Sequence, residues 1–192
     1  MEPANTPSTE DIKGYVDYLD KEMTIMGILS TFCIVSLGFV AQKLIFPDKD
    51  SKVAFWENAT FLCFLGLSAL LLAGWCFYRQ RSLLAWYIGQ ISLYKAKGDK
   101  RKVKSLLTRS DGWSNWTWYH GGFGGLFLAF FSLISVALSG VCPFIERWQV
   151  LIGCAYLLAG SLYCGFFITA YKMFSYKDDP GAALWARLFG RA

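Results

Sequence analysis

Gly124-Gly125-Leu126-Phe127-Leu128-Ala129-Phe130-Phe131-Ser132-Leu133-Ile134-Ser135-Val136-Ala137-Leu138-Ser139-Gly140-Val141-Cys142 contains no charged side chain and is apolar on every side of a helical projection. A helix at the surface of a soluble protein keeps a polar stripe, so this stretch calls for an apolar solvent. At a rise of about 1.5 Å per residue, about 20 such residues cross a hydrocarbon layer about 30 Å thick. Working outward, the stretch extends to Gly121–Phe144, and Met23–Phe46, Phe61–Tyr78 and Val150–Phe174 have the same character. Backbone amides in lipid must be paired within their own segment or by barrel closure, and runs this long without alternation select helix. The expected fold class is therefore all-α: a polytopic membrane protein with four transmembrane helices at about 23–46, 61–78, 121–144 and 150–174, plus cytoplasmic amphipathic helices.

Lys and Arg are distributed asymmetrically about these spans. Lys13 and Lys21 precede the first; Arg79, Arg81, Lys95, Lys97, Lys100, Arg101, Lys102, Lys104 and Arg109 lie between the second and third; Lys172, Lys177, Arg187 and Arg191 lie at the end of the chain. The other face keeps only Lys43, Lys49, Lys52 and Arg147. Basic residues accumulate on cytoplasmic flanks, which places both termini and the loop 79–118 in the cytoplasm and Pro47–Thr60 and Cys142–Gln149 outside. The net charge of +5 is then mainly a topological signal rather than a sign of nucleic-acid binding. The first 22 residues are polar and acid-rich rather than a basic segment leading into a short apolar one, so the first span is expected to stay as an anchor.

The span interiors carry hydroxyls but hardly any ionisable group. Ser30, Thr31, Ser36, Ser68, Ser132, Ser135, Ser139, Ser161 and Thr169 are there, with Gln42 and Lys43 near an external end. Proton relays and substrate counter-ions in membranes need acids, bases or His, so proton-coupled transport is not expected. Pro47 and Pro143 lie at external ends and read as helix stops rather than as paired helix breaks. Five of the six cysteines, all but Cys142, fall within spans, and their spacing matches no metal site; they read as small buried hydrophobes, with a disulfide or redox role for Cys142 as the alternative. Small residues recur by four at Gly121, Gly125 and Ala129, at Ser161, Gly165 and Thr169, and at Ala69 and Ala73. That spacing lets two backbones approach closely, either within one chain or between copies in a homo-oligomer.

The parts outside the spans are patterned as well. Leu84, Tyr87, Ile88, Ile91 and Tyr94 recur on one helix face, which predicts that the second span continues into the cytoplasm until Gly98-Asp99 breaks it. Lys100–Leu107 fits a short helix with Val103, Leu106 and Leu107 apolar, followed by an aromatic belt of Trp113, Trp116, Trp118 and Tyr119. The acidic arm, residues 1–22, has a helix start at Ser8 and an apolar stripe of Ile12, Tyr15, Val16, Leu19 and Met23. Its stripe is expected to dock on the loop helix, with Asp17 and Asp20 near Lys100–Lys104. Residues 175–192 read as an interfacial tail, Leu184, Trp185, Leu188 and Phe189 facing lipid beside Arg187 and Arg191. The basic run of Lys95, Lys97, Lys100, Arg101, Lys102 and Lys104 fits anionic lipid headgroups or an acidic protein partner, and fits direct nucleic-acid binding less well because the nearby aromatics are better placed as membrane anchors.

Nothing in this pattern points to an enzyme. His120, the only histidine, has no cysteine or carboxylate arranged around it, and Gly121–Gly125 lacks the Lys-Ser or Lys-Thr of a phosphate loop. No cofactor or metal is expected. The arm Asp17-Tyr18-Leu19-Asp20-Lys21-Glu22-Met23 runs straight into Thr24-Ile25-Met26-Gly27-Ile28-Leu29. With four spans and one basic loop in 192 residues, this layout resembles the KwaA-like membrane components of the two-protein Kiwa phage-defence system. The resemblance implies a homo-oligomeric sensor in the bacterial inner membrane, working with a cytosolic DNA-binding effector protein. It rests on layout rather than on a motif, so it assigns no functional residues. The expected function is thus a membrane sensor or scaffold that presents a cytoplasmic surface to an effector; the alternative is a small oligomeric channel or pore, lined by Ser132, Ser135 and Ser139, that depolarises the membrane.

Overall fold

In the computed structural model the described residues are 9–45, 59–110 and 113–175. They form five helices: α1 (Thr9–Ile45), α2 (Thr60–Ala96), α3 (Lys100–Ser110), α4 (Trp113–Ser139) and α5 (Pro143–Ser175). No strand occurs among the described residues. α1, α2, α4 and α5 are each long and apolar enough to cross a membrane, and the chain has the form of a multi-pass membrane protein. The loop 47–59 with Lys49 and Lys52, the Ser8 helix start and the tail beyond Ser175 lie, but for Ala59, outside the described residues.

α2 is the central element. Half of its most apolar stretch is buried, against 17% for α1 and 6% for α5, because both α1 and α4 pack along it. α5 packs mainly on α4, and α3 on the C-terminal half of α2. The reason is a seam that repeats by alternating steps of three and four: Cys63, Gly66, Leu70, Ala73, Phe77, Gln80, Leu84, Tyr87 and Ile91 are all buried. On α1, Leu19, Met26 and Cys33 are buried at every seventh position. The α2 seam is shared, its Gly66, Ala73 and Phe77 meeting α4 and its Gln80 meeting α1, and α1 and α2 run antiparallel. Leu62, Ala69 and Cys76 form a second buried row on α2.

The apolar core runs continuously from Ala69, Leu70 and Ala129 through Phe77 and Met26 to Leu84 and Ile91. Beyond them it takes in Val103 and Leu106 of α3. A separate cluster of Ala59, Leu62, Cys63 and Val136 closes the opposite end, where the Phe61 amide donates to Gln149 Oε1 at 2.9 Å.

The acidic arm and the first span are one unbroken helix, as are the second span and its extension. α2 ends in a Schellman turn: the Gly98 amide bonds the Lys95 carbonyl and the Asp99 amide the Tyr94 carbonyl. This turn places Gly98 at φ +71°, a left-handed backbone conformation that glycine adopts freely and other residues rarely do. Asp99 then caps α3, its Oδ1 accepting from the Lys102 amide at 3.1 Å. At the other end the helices differ from the expected bounds. α4 stops at Ser139, and Pro143 starts α5 rather than ending a span. Proline lacks the amide hydrogen that the first helical turn cannot use, so it suits that position. Residues 143–147 thus form a first turn of α5, offset by a kink at Trp148 (φ −111°, ψ 16°), where an external loop is expected.

Candidate functional site

Functional groups concentrate at the polar end of the bundle, where the start of α1, the second half of α2, α3 and the start of α4 meet. Lys95, Lys97, Lys100, Arg101, Lys102 and Lys104 are all exposed there. Lys102 leans over the Tyr94 ring at 4.7 Å from its centroid and reaches Asp99 at 3.9 Å. Contacts of this exposed kind are each worth only about 0–1 kcal/mol, so the run is fixed in place by the helix beneath it rather than by ion pairs. That helix is held by Val103 and Leu106, both buried against α2 and α1.

The arm docks through its apolar stripe. Ile12, Tyr15, Val16 and Met23 pack on the core around buried Leu19, and the Tyr15 hydroxyl donates to the Leu107 carbonyl of α3 at 3.3 Å. Asp17 and Asp20 are exposed, and among the described residues neither forms an ion pair with Lys100–Lys104. The acid that turns inward is Glu22, whose Oε1 accepts from Nε2 of the fully buried Gln80 at 3.2 Å. The register of the α2 seam was the signal for this pair: Gln80 sits between Phe77 and Leu84 on the face that meets α1.

Beside that pair, α1 and the start of α4 flank a groove of about 570 Å³. Tyr18, Lys21, Glu22 and His120 supply its polar groups; Ile25, Met26 and Phe123 supply an apolar wall; Trp116 and Tyr119 complete it. His120 is only 6% exposed, and its ring is stacked between Trp116 (4.7 Å between centroids, 29°) and Phe167 of α5 (4.3 Å, 13°). Its Nδ1 lies 3.2 Å from the Tyr163 hydroxyl, while its buried Nε2 has no hydrogen-bond partner. A neutral imidazole offers one donor and one acceptor nitrogen, so Nε2 is a buried polar group left without a partner.

The other candidate residues divide between interior and surface. Gly121, Gly125 and Ala129 face α2: a Cβ on Gly125 would lie 3.1 Å from the Ala69 carbonyl oxygen and one on Gly121 3.4 Å from Cys76 Sγ. That stripe packs helices of the same chain. Ser161 and Gly165 are exposed, with open space around Gly165. Ser132, Ser135 and Ser139 are buried inside the chain, Ser135 within 2.8 Å of the Tyr156 hydroxyl and Ser139 donating to the Val136 carbonyl. All six cysteines are free thiols, and no cluster of three or more His, Cys, Asp or Glu side chains suited to a metal occurs among the described residues. Compared with family models, curated proteins and solved structures, the chain matches none.

Proposed function

We propose that the protein is a non-enzymatic scaffold and sensor of the bacterial inner membrane, with both termini and the polar end of the bundle in the cytoplasm, where it presents a basic surface to an acidic effector protein. The observation that carries this reading is the single apolar seam that joins the long apolar stretches of α1 and α2 to α3. Leu19, Phe77, Leu84, Ile91, Val103 and Leu106 belong to one core, so a shift of α1 against α2 within the membrane moves the platform bearing Lys100–Lys104. Packed helices slide or rotate as units, which is the movement a membrane sensor needs to transmit. The exposure of all six basic side chains, on the end of α2, the turn after it and α3, favours protein or headgroup contact over a buried role. The resemblance to the Kiwa membrane components supplies the setting, defence against phage, and the class of partner, a cytosolic effector. The pore reading is weakened by the burial of Ser132, Ser135 and Ser139 within the chain.

The test is a mild-detergent purification of the full-length protein beside the variant carrying Lys97→Ser, Lys100→Ser, Arg101→Ser, Lys102→Ser and Lys104→Ser, with copurifying proteins and oligomeric mass measured together. An acidic cytosolic protein retained by the first and lost from the second is the expected result. An oligomer with no partner in either preparation would overturn the platform and make conductance of reconstituted protein the next measurement.

A further inference from the structure

We propose that the groove between α1 and the start of α4 binds the headgroup of one aminophospholipid, its ammonium on the Glu22 carboxylate and its phosphate toward Lys21. This inference rests on the membrane placement argued above, but not on the existence of a cytosolic partner.

Three observations converge on it. The first is position: Glu22 is the last acid of α1 before a stretch from Met23 to Gln42 with no charge, and Trp116 opens the apolar part of α4. The groove therefore sits where headgroups meet acyl chains, the level at which Trp and Tyr collect. The second is shape and polarity. A volume of about 570 Å³ lies within the range of small-ligand sites, about 300–1,000 Å³, and the groove grades from Lys21 and Glu22 to an apolar wall at Ile25. The ligand that matches such a gradient has charges of both signs at one end and hydrocarbon at the other. Ile25 is 53% exposed and leads out onto the lipid-facing side of α1, so acyl chains have a way out of the groove.

The third observation is hydrogen-bonding chemistry. Gln80 fixes the Glu22 carboxylate from a buried seam, so the acid is held in place instead of turning out to solvent. Trp116 stands at the groove wall, and an ammonium gains from an aromatic face as well as from a carboxylate. His120 lines the same groove, but its Nε2 is buried, so the acceptor the groove offers is the Glu22 carboxylate. A primary ammonium can donate N–H bonds to that carboxylate; a trimethylammonium can donate none. The chemistry thus selects an ethanolamine-type headgroup over choline and over anionic lipids, whose charge Glu22 repels.

The experiment uses the full-length protein in nanodiscs containing equal parts of phosphatidylethanolamine, phosphatidylcholine and phosphatidylglycerol, followed by exchange into detergent and quantification of lipids retained per chain. Glu22→Gln removes the charge and keeps the shape, Ile25→Trp fills the groove, and Leu158→Trp alters a lipid-exposed side chain far from it. The expected result is about one phosphatidylethanolamine retained per wild-type chain and per Leu158→Trp chain. Glu22→Gln should reduce it about tenfold, because the hydrogen bond it leaves is no longer charge-assisted, and Ile25→Trp should abolish it. Equal retention by all four proteins would reveal annular lipid only and overturn the site. Preferential retention of phosphatidylcholine or phosphatidylglycerol by the wild type would overturn the headgroup assignment. Because no cytosolic protein is present, failure here leaves the docking platform standing, and failure of the pull-down leaves this site standing.

Discussion

Gly122 determines how closely α4 approaches α2, since a Cβ there would lie 2.5 Å from the Phe77 ring. Phe77 has no room to retreat: it is fully buried and packed edge-on against Phe123, 5.3 Å between centroids at 82°. Gly122→Ala is therefore expected to destabilise the bundle by about 1–3 kcal/mol, the cost of overpacking a filled interface, read as a lowered thermal midpoint in detergent. Gly165→Ala is the matching comparison, because nothing lies within 4 Å of that position. It should leave stability unchanged or raise it, by up to about 1 kcal/mol of helix propensity. Equal effects at both positions would mean that α4 does not meet α2 at this distance. The spacing of small residues was legible in the sequence for Gly121, Gly125 and Ala129 and equally for Ser161, Gly165 and Thr169, yet only the first set is packed. Spacing by four states that a helix face can be approached closely; it does not state by what. For the same reason the apolar stripe of the arm was readable, while the inward turn of Glu22 in place of Asp17 and Asp20 required the register of a second helix.

α2 runs through both the apolar stretch of the bundle and its polar end. Across the apolar part, its neighbours approach over Gly66, Ala73 and Gly74, the small residues through which helices gain packing contacts where lipid offers no hydrophobic drive. Beyond Arg81 the same seam is filled by the larger Leu84, Tyr87 and Ile91, which are buried there. Leu84→Ala is expected to cost about 2–5 kcal/mol, concentrated in the polar end of the bundle, since Leu84 is fully buried there beside α1. Limited trypsin digestion in detergent checks this: cleavage after Lys100–Lys104 should accelerate in Leu84→Ala and stay unchanged in Leu93→Ala, which alters an exposed residue of the same helix. Unchanged cleavage in both would separate α3 from the seam. The continuation of α2 past its span and the break at Gly98-Asp99 were both legible, as three-and-four periodicity and turn chemistry are local properties. The α4–α5 turn was not: Pro143 ends a helix or begins one with equal local logic, and the choice falls to the packing of Val136 with Ile145 and Ile152 around the end cluster.

For the whole molecule, the two ends of the bundle differ in what they expose, and this fixes a test of orientation. One end carries Lys95–Lys104 on α2 and α3, exposed; the other carries exposed Glu146 and Arg147 beside half-buried Cys142 in the α4–α5 turn. In the proposed orientation, Cys142 faces the periplasm and a cysteine placed at Lys102 faces the cytoplasm. A membrane-impermeant maleimide should label Cys142 in intact cells with a permeabilised outer membrane, and Cys142→Ser should abolish that signal. The remaining cysteines do not compete: Cys33, Cys63 and Cys76 are buried, and Cys154 and Cys164 lie in the apolar stretch of α5. In the Cys142→Ser background, Lys102→Cys should be labelled only after the inner membrane is broken. The reverse pattern would place the basic run outside, away from any cytosolic effector, and would move the groove at Glu22 to the outer leaflet. The labelling result therefore decides which leaflet the groove can sample, whereas the lipid-retention measurement decides whether it holds a lipid at all. Only an inner-leaflet groove holding a headgroup would let the occupant of that site bias the α1–α2 seam and, through it, the platform on α3.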